Sequence, residues 1–93
     1  MQIAVMEITL HLGWVHSLKE KRSELKSLLA GIRNKFNVSA AESDMQDVHQ
    51  MAAITVAMVA SDRAAGDAMM EKVICYMEQN TEAVITDVIK EYR

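Results

Sequence analysis

A capped amphipathic helix that runs directly into a strand is the feature that most constrains this 93-residue chain. The segment Ser17-Leu18-Lys19-Glu20 matches a capping box, in which the serine hydroxyl and the glutamate carboxylate satisfy amides at a helix start. The pattern predicts a helix that begins there and ends near Phe36, followed by a short strand over Asn37 to Ser43. Its apolar side chains recur at helical spacing on one face, at Leu18, Leu25, Leu28, Leu29, Ile32 and Phe36.

The rest of the chain supplies three more strands and a second helix. Gln2 to Leu12 alternates between apolar and mixed positions, which is typical of a strand with one core-facing side. A near-continuous run of β-prone residues follows the polar turn at Asp44 to His49 and predicts a central strand. The later elements are a strand over Met51 to Ala60, a helix capped by Ser61 or Asp62 and ending near Asn80, and a strand over Ala83 to Ile89.

The resulting order, β-α-β-β-α-β, predicts an α+β fold. In so short a chain it closes most simply into a ferredoxin-like sandwich, a four-stranded antiparallel sheet with both helices on one face. The chain contains no proline and no Gly/Ser-rich linker. We therefore expect a single domain over residues 1–93, with room for one core.

Charge is unevenly distributed along the chain, whose net charge is −3. The segment His16 to Phe36 holds six basic and two acidic residues, and the remainder holds four basic and eleven acidic ones. This balance argues against general nucleic-acid binding but leaves a local docking site open. The apolar runs are too short to cross a bilayer, and the N-terminal segment lacks a basic region typical of signal peptides. With a single cysteine, these features predict a cytoplasmic protein with no membrane association.

Two segments carry a family resemblance. The heptapeptide HSLKEKR at His16 to Arg22 and the heptapeptide RNKFNVS at Arg33 to Ser39 resemble the YlxP-like family of small bacterial proteins, a domain of unknown function. The similarity continues through Ala41-Glu42 and Gln46-Asp47 into the third strand. It implies a ferredoxin-like fold and, in many bacteria, a gene among translation and ribosome-maturation factors, but no established activity. Proline, which family members often carry beside Gly13, is absent here, and Ser43 replaces a valine.

The basic first helix is the main candidate for binding. Lys19, Arg22, Lys26 and Arg33 fall within about 60° on a helical wheel. Like charges at these spacings destabilise a helix slightly, which favours a role outside stability, such as docking on phosphate or on an acidic partner. The alternative is that these side chains border the core and pair with acids such as Glu42 or Asp44. The predicted contact residues are Trp14, Lys19, Lys21, Arg22, Lys26, Arg33 and Lys35.

The sheet face opposite the helices is a second candidate. The predicted strands place no aromatic residue on this face, so stacking of RNA bases on this sheet is not expected. Its small and β-branched residues favour packing against a second sheet, which predicts a homodimer. The residues of this predicted interface are Ile3, Val5, Thr9, Ala53, Thr55, Ala57 and Val59.

Other residues give weaker signals. The loop Gly13 to Ser17 precedes the positive end of the helix, where an anion can bind, but the capping box already uses some of its amides. His11, His16 and His49 share no metal-ligand spacing, although His49 with Asp44 and Asp47 leaves a weak metal site open against a plain solvated turn. Cys75 is predicted to be a small core residue. We expect no metal and no cofactor.

The sequence therefore favours a non-catalytic interaction module that docks on a ribosomal subunit or RNA through its first helix. The alternative is a dimeric regulatory domain that binds a small molecule at the dimer interface or at the Gly13 loop. A small phosphatase of the same topology is the third reading. Its chemistry needs an anion-cradling loop with an arginine and a residue that positions water, and no such pair is evident.

Overall fold

A computed structural model describes residues 1–93 and has the predicted order of elements. One antiparallel sheet has the strand order β2-β3-β1-β4, so β1 and β3 are central and β2 and β4 form its edges. The ferredoxin-like α+β prediction is confirmed. The elements are β1 Gln2–His11, α1 Leu18–Lys35, β2 Ser39–Asp44, β3 Met51–Ala60, α2 Arg63–Asn80 and β4 Val84–Tyr92.

The core lies between the sheet and the two helices. Alternate residues of β1 from Ala4 to Leu10 are fully buried, and they meet the leucine face of α1 and the methionine-rich face of α2. The predicted core side of β1 is therefore confirmed. The largest buried hydrophobic side chains are Met6, Ile8, Leu10, Leu12, Ile32, Ile54, Met70 and Met77.

Both helix starts are capped as predicted. The Glu20 amide donates to Ser17 Oγ at 3.1 Å, and the Glu20 carboxylate accepts from the His16 amide at 3.4 Å. In α2 the Asp62 carboxylate accepts from the Ala65 amide at 2.8 Å. These caps satisfy amides that a helix start otherwise leaves unpaired, which fixes where each helix begins.

The last strand differs from its prediction. It runs three residues beyond Ile89, to Tyr92, and its pairing with β1 shifts between Thr9 and Leu10. Because of this bulge, Ile85 and Val88 both face the helices, whereas strict alternation places them on opposite faces. Tyr92 then packs against α2 near Gly66. Burial, with a hydrogen bond to Asp67, raises the pKa of the Tyr92 phenol to about 12.

The two helices meet at a close contact between Gly31 of α1 and Tyr76 of α2. A Cβ at Gly31 would overlap the Tyr76 hydroxyl, so only glycine leaves room for the ring at this position. Phe36 packs edge-on against Tyr76, with ring centroids 5.8 Å apart and planes at 89°. This contact fixes which side of α1 faces α2. Neither helix is long and apolar enough to span a membrane.

Candidate nucleic-acid interface

Four basic residues form an exposed row along α1, which we call the basic stripe: Lys19, Arg22, Lys26 and Arg33. From the first to the last the stripe covers about 21 Å of helix at 1.5 Å per residue. Arg33 donates from Nε to the Ala40 carbonyl of β2 at 3.0 Å. The stripe therefore borders the edge strand β2, on the side of α1 that faces away from α2.

No carboxylate neutralises the basic stripe. The ion pairs of the structure join Lys21 to Glu42, Lys90 to Glu71 and Arg93 to Glu91, and none includes a stripe residue. The sequence left open that the stripe pairs with Glu42 or Asp44. Glu42 is instead occupied by Lys21, and the Asp44 carboxylate accepts from the Met45 amide at 2.8 Å. None of the four charged groups thus has a carboxylate within ion-pair distance, although the Arg33 guanidinium is also engaged by the Ala40 carbonyl.

Lys21 is not part of this surface, and its prediction as a contact residue is wrong. Its side chain is fully buried. The ammonium donates to the carbonyls of Met45, Val48 and Met51 at 2.6, 2.7 and 3.0 Å, and lies 2.8 Å from Glu42 Oε2. A lysine has three N–H groups, and all three go to the carbonyls. Glu42 Oε2, at 2.8 Å, is the fourth oxygen around the ammonium and supplies the negative charge that balances it.

The burial of Lys21 has a signal in the sequence that charge counting missed. On the helical wheel Lys21 lies at the same angle as the leucine face, four residues before Leu25 and seven before Leu28. A lysine in the middle of an apolar face must find internal oxygens, because an unpaired ammonium is too costly to bury. The loop between β2 and β3 supplies two of those oxygens and the first residue of β3 the third. At the start of the loop Met45 has a left-handed backbone with φ of 62°.

Lys35 and Trp14 lie away from the stripe. The Lys35 ammonium is 5.4 Å from the centre of the Tyr76 ring, on the side of α1 that faces α2. Trp14 is half-buried against the core, and it lines a cleft of about 600 Å³ with Glu24, Glu78 and Glu82. That cleft is acidic, so the structure does not bring Trp14 together with the basic residues.

The loop before α1 is held by its own hydrogen bonds. Gln50 Nε2 donates to the carbonyls of Gly13 and Val15 at 3.3 and 3.2 Å, and the capping box uses the amides of His16 and Glu20. With Lys21 turned into the core, the loop has fewer groups left for an anion than the sequence indicates. The structure therefore favours a loop that connects β1 to α1 over a loop that binds an anion.

The open face of the sheet carries the residues of the predicted dimer interface, since each alternates with a core residue of β1 or β3. Ala53 is the exception in accessibility: it is only 2% exposed within the monomer, so its prediction as a contact residue is wrong. Val59 and Ile3 are its most exposed members, and Ile89 of β4 extends the apolar surface. Glu7 lies at the centre, half-buried between Thr55 and Ile89 in the register. The face bears no aromatic side chain, because Tyr92 pairs with Ala4 and lies on the helix side.

Two further expectations concern Cys75 and a metal site. Cys75 is exposed on α2, so its prediction as a core residue is wrong. On the helical wheel Cys75 lies roughly 160° from the buried face formed by Met70, Val73 and Met77, so it projects from the outer side of α2 toward solvent. No group of three or more His, Cys, Asp or Glu side chains is arranged to hold a metal ion.

Comparison with known proteins gives a family and a fold. The family model described as "Protein of unknown function (DUF503)" matches residues 3–89. The uncharacterized protein YlxP of Bacillus subtilis (strain 168) is 38% identical over 66 residues, which are 71% of this chain and 72% of that protein. The de novo designed protein Foldit4 aligns over 100% of this chain and 97% of its own, with a TM-score of 0.54. At 9% identity that likeness shows the fold alone.

Proposed function

Because this chain belongs to the DUF503 family, whose function is not defined, we propose a function from its surface: a non-catalytic module that docks on structured RNA, such as that of a ribosomal subunit. The basic stripe provides the contact. One observation carries the proposal, namely that four cations share one exposed helix face and none of them forms an ion pair with a carboxylate. Phosphate oxygens of an RNA backbone supply the missing counterions.

The chemistry of the stripe favours phosphate over an acidic protein. Protein interfaces place apolar or aromatic side chains at a desolvated centre and charges at the rim. Around the stripe the exposed residues are Ser23, Ser27 and Ala30, with no aromatic or large apolar side chain. Contacts with a phosphate backbone need only charge and short polar groups, and they carry no base specificity.

The acidic remainder of the molecule orients the docking. Outside His16 to Phe36 acidic residues outnumber basic ones by seven, so most of the remaining surface repels a polyanion. The module therefore binds RNA in one orientation, with β2 and the stripe toward the phosphates and β4 away from them. Such binding is weak without the stripe and sensitive to salt.

Sedimentation with purified ribosomal subunits tests this function. We expect the protein to co-sediment at low salt and the variant with Lys19, Arg22 and Lys26 replaced by glutamine to remain in the supernatant. Arg33 is kept in that variant because it also holds the Ala40 carbonyl. The matched control replaces Arg63, Lys90 and Arg93 by glutamine. It removes the same charge from outside the basic stripe. Equal binding by both variants, or no co-sedimentation of the parent protein at low salt, would contradict the proposal.

A second copy of this chain is the proposed occupant of the open sheet face. Four strands about 4.8 Å apart and about nine residues long give a face of roughly 19 by 30 Å. Two such faces bury roughly 1,100 Å² in total, which reaches the size that a specific interface needs. Val59, Ile3 and Ile89 are the exposed apolar residues that this contact would cover. Glu7 opposes it, because a carboxylate without a basic neighbour must be desolvated.

The dimer is tested by light scattering over a concentration series. We expect Val59→Lys to yield monomers, since it places an ammonium in the apolar contact, and Glu7→Gln to tighten association by removing the desolvated charge. Ala30→Lys, on the solvent side of α1, serves as the control. We expect this variant to have the same oligomeric state as the parent protein. A parent protein that is monomeric throughout, or a V59K variant that still dimerises, rules out this interface.

A further inference from the structure

An external groove lies where the end of α1 meets the outer side of α2. It has a volume of about 340 Å³ and is formed by residues from the last turn of α1 and three successive turns of α2. This volume falls within the range of small-molecule sites. The aromatic pair Phe36 and Tyr76 forms its apolar wall. The remaining lining residues are Lys35, Glu71, Lys72, Cys75 and Gln79.

Two lysines, Lys35 and Lys72, line the groove together with the aromatic wall. The Lys35 ammonium lies 5.4 and 6.0 Å from the centres of the Tyr76 and Phe36 rings, so cation–π attraction holds it at the groove. Neither Lys35 nor Lys72 has a carboxylate within ion-pair distance. Glu71 is the one acidic residue in the lining, and Lys90 engages it at 3.2 Å. The groove thus presents positive charge beside an apolar wall.

We propose that this groove binds a small anion that carries a flat ring, of the kind represented by a mononucleotide or an aromatic carboxylate. The ring packs against Phe36 and Tyr76, where burial of aromatic surface is favourable. The anionic group pairs with the ammonium groups of Lys35 and Lys72, which act as point charges and accept either phosphate or carboxylate. The site is distinct from the basic stripe, because Lys35 and Arg33 project from opposite sides of α1.

The wall of the groove is held by packing contacts within the protein itself. The Tyr76 hydroxyl lies against Gly31, and the ring is held edge-on by Phe36. A preformed aromatic wall lowers the ordering cost of binding. Cys75 lies in the same groove and is the single cysteine of the chain, so its thiol reports on whether the groove is occupied.

Protection of Cys75 from a maleimide is therefore the test. Two probes, AMP and salicylate, carry both a ring and an anionic group. Two half-probes carry only one of these features: adenosine has the ring and inorganic phosphate has the anionic group. We expect AMP or salicylate to slow labelling about tenfold at ten times its Kd, and the half-probes to give less than about twofold protection. Protection is measured as the ratio of rates with and without probe, which removes any change in thiol reactivity between variants.

Variants separate the groove from the rest of the surface. We expect Lys35→Gln combined with Lys72→Gln to lose the protection, and Lys26→Gln in the basic stripe to keep it. No protection by either ring-bearing anion, equal protection by phosphate alone, or full protection in the double variant would overturn the proposal. RNA docking involves the basic stripe and is tested by co-sedimentation, whereas the groove is tested by labelling of Cys75. Either proposal can therefore fail without the other.

Discussion

Replacing Lys21 with methionine is expected to destabilise the fold by about 3–5 kcal/mol, although a count of surface charges would treat this lysine as dispensable. Methionine fills much of the same space but donates nothing. The carbonyls of Met45, Val48 and Met51 would lose their donor, and Glu42 would keep a partly buried charge with no partner. A domain of this length has a free energy of unfolding of about 5–14 kcal/mol, so the loss is a large share of it.

Urea denaturation followed by the tryptophan fluorescence of Trp14 measures this effect. Lys19→Met is the matched control, because it removes the same charge from an exposed position two residues earlier, and we expect a change below about 0.5 kcal/mol. Lys21→Met combined with Glu42→Leu should recover part of the loss by removing the unpaired carboxylate, while the three carbonyls stay unsatisfied. A Lys21→Met variant within about 1 kcal/mol of the parent would show that the loop re-forms without the ammonium.

The heptapeptide HSLKEKR is a better indicator of the family than of a binding site, because most of its residues hold α1 in place. Within it Ser17 and Glu20 cap the helix, and Lys21 ties the helix to the loop between β2 and β3. Only Lys19 and Arg22 remain for contact with a partner. The motif is thus largely a description of how the first helix starts and what it holds.

The fold was predictable because each of its elements has a local signal. The alternation of β1, the two helix caps and the leucine face of α1 depend on neighbours within a few residues, so the sequence alone indicates them. The bulge in β4 has no such signal, since it arises where Thr86 is left without a partner on β1. The side of β4 that faces the helices therefore could not be predicted by alternation.

The candidate site was less predictable because it depends on which side of α1 each neighbour covers. Arg33 and Lys35 are two residues apart, yet one contacts the edge strand and the other contacts α2. The helical wheel gives their angular separation but not the position of α2, which the contact between Gly31 and Tyr76 determines. The exposure of Cys75, by contrast, could have been predicted, because on the helical wheel it lies roughly opposite Met70, Val73 and Met77.

The affinity for RNA is expected to depend steeply on salt, with a slope that counts the contacts of the stripe. If Lys19, Arg22, Lys26 and Arg33 each neutralise one phosphate, log K against log salt has a slope of about −2.8 to −3.6. A rise from 50 to 200 mM salt then weakens binding about 50- to 150-fold. Fluorescence anisotropy with a labelled RNA hairpin measures the slope directly.

The slope of log K against log salt distinguishes contacts made by the stripe from a general attraction caused by net charge. A single affinity measured at one salt concentration does not. Each single glutamine substitution in the stripe should reduce the slope by about 0.7–0.9 and weaken binding to all RNA sequences alike, because phosphate contacts carry no sequence information. Removing Lys19, Arg22 and Lys26 together leaves about one contact, and the slope approaches that of Arg33 alone. Replacing Arg63, Lys90 and Arg93 changes the net charge equally but should leave the slope unchanged, because those residues lie outside the stripe. If both triple variants lowered the slope alike, the attraction would follow from net charge, and the stripe would be only a solvated flank of α1.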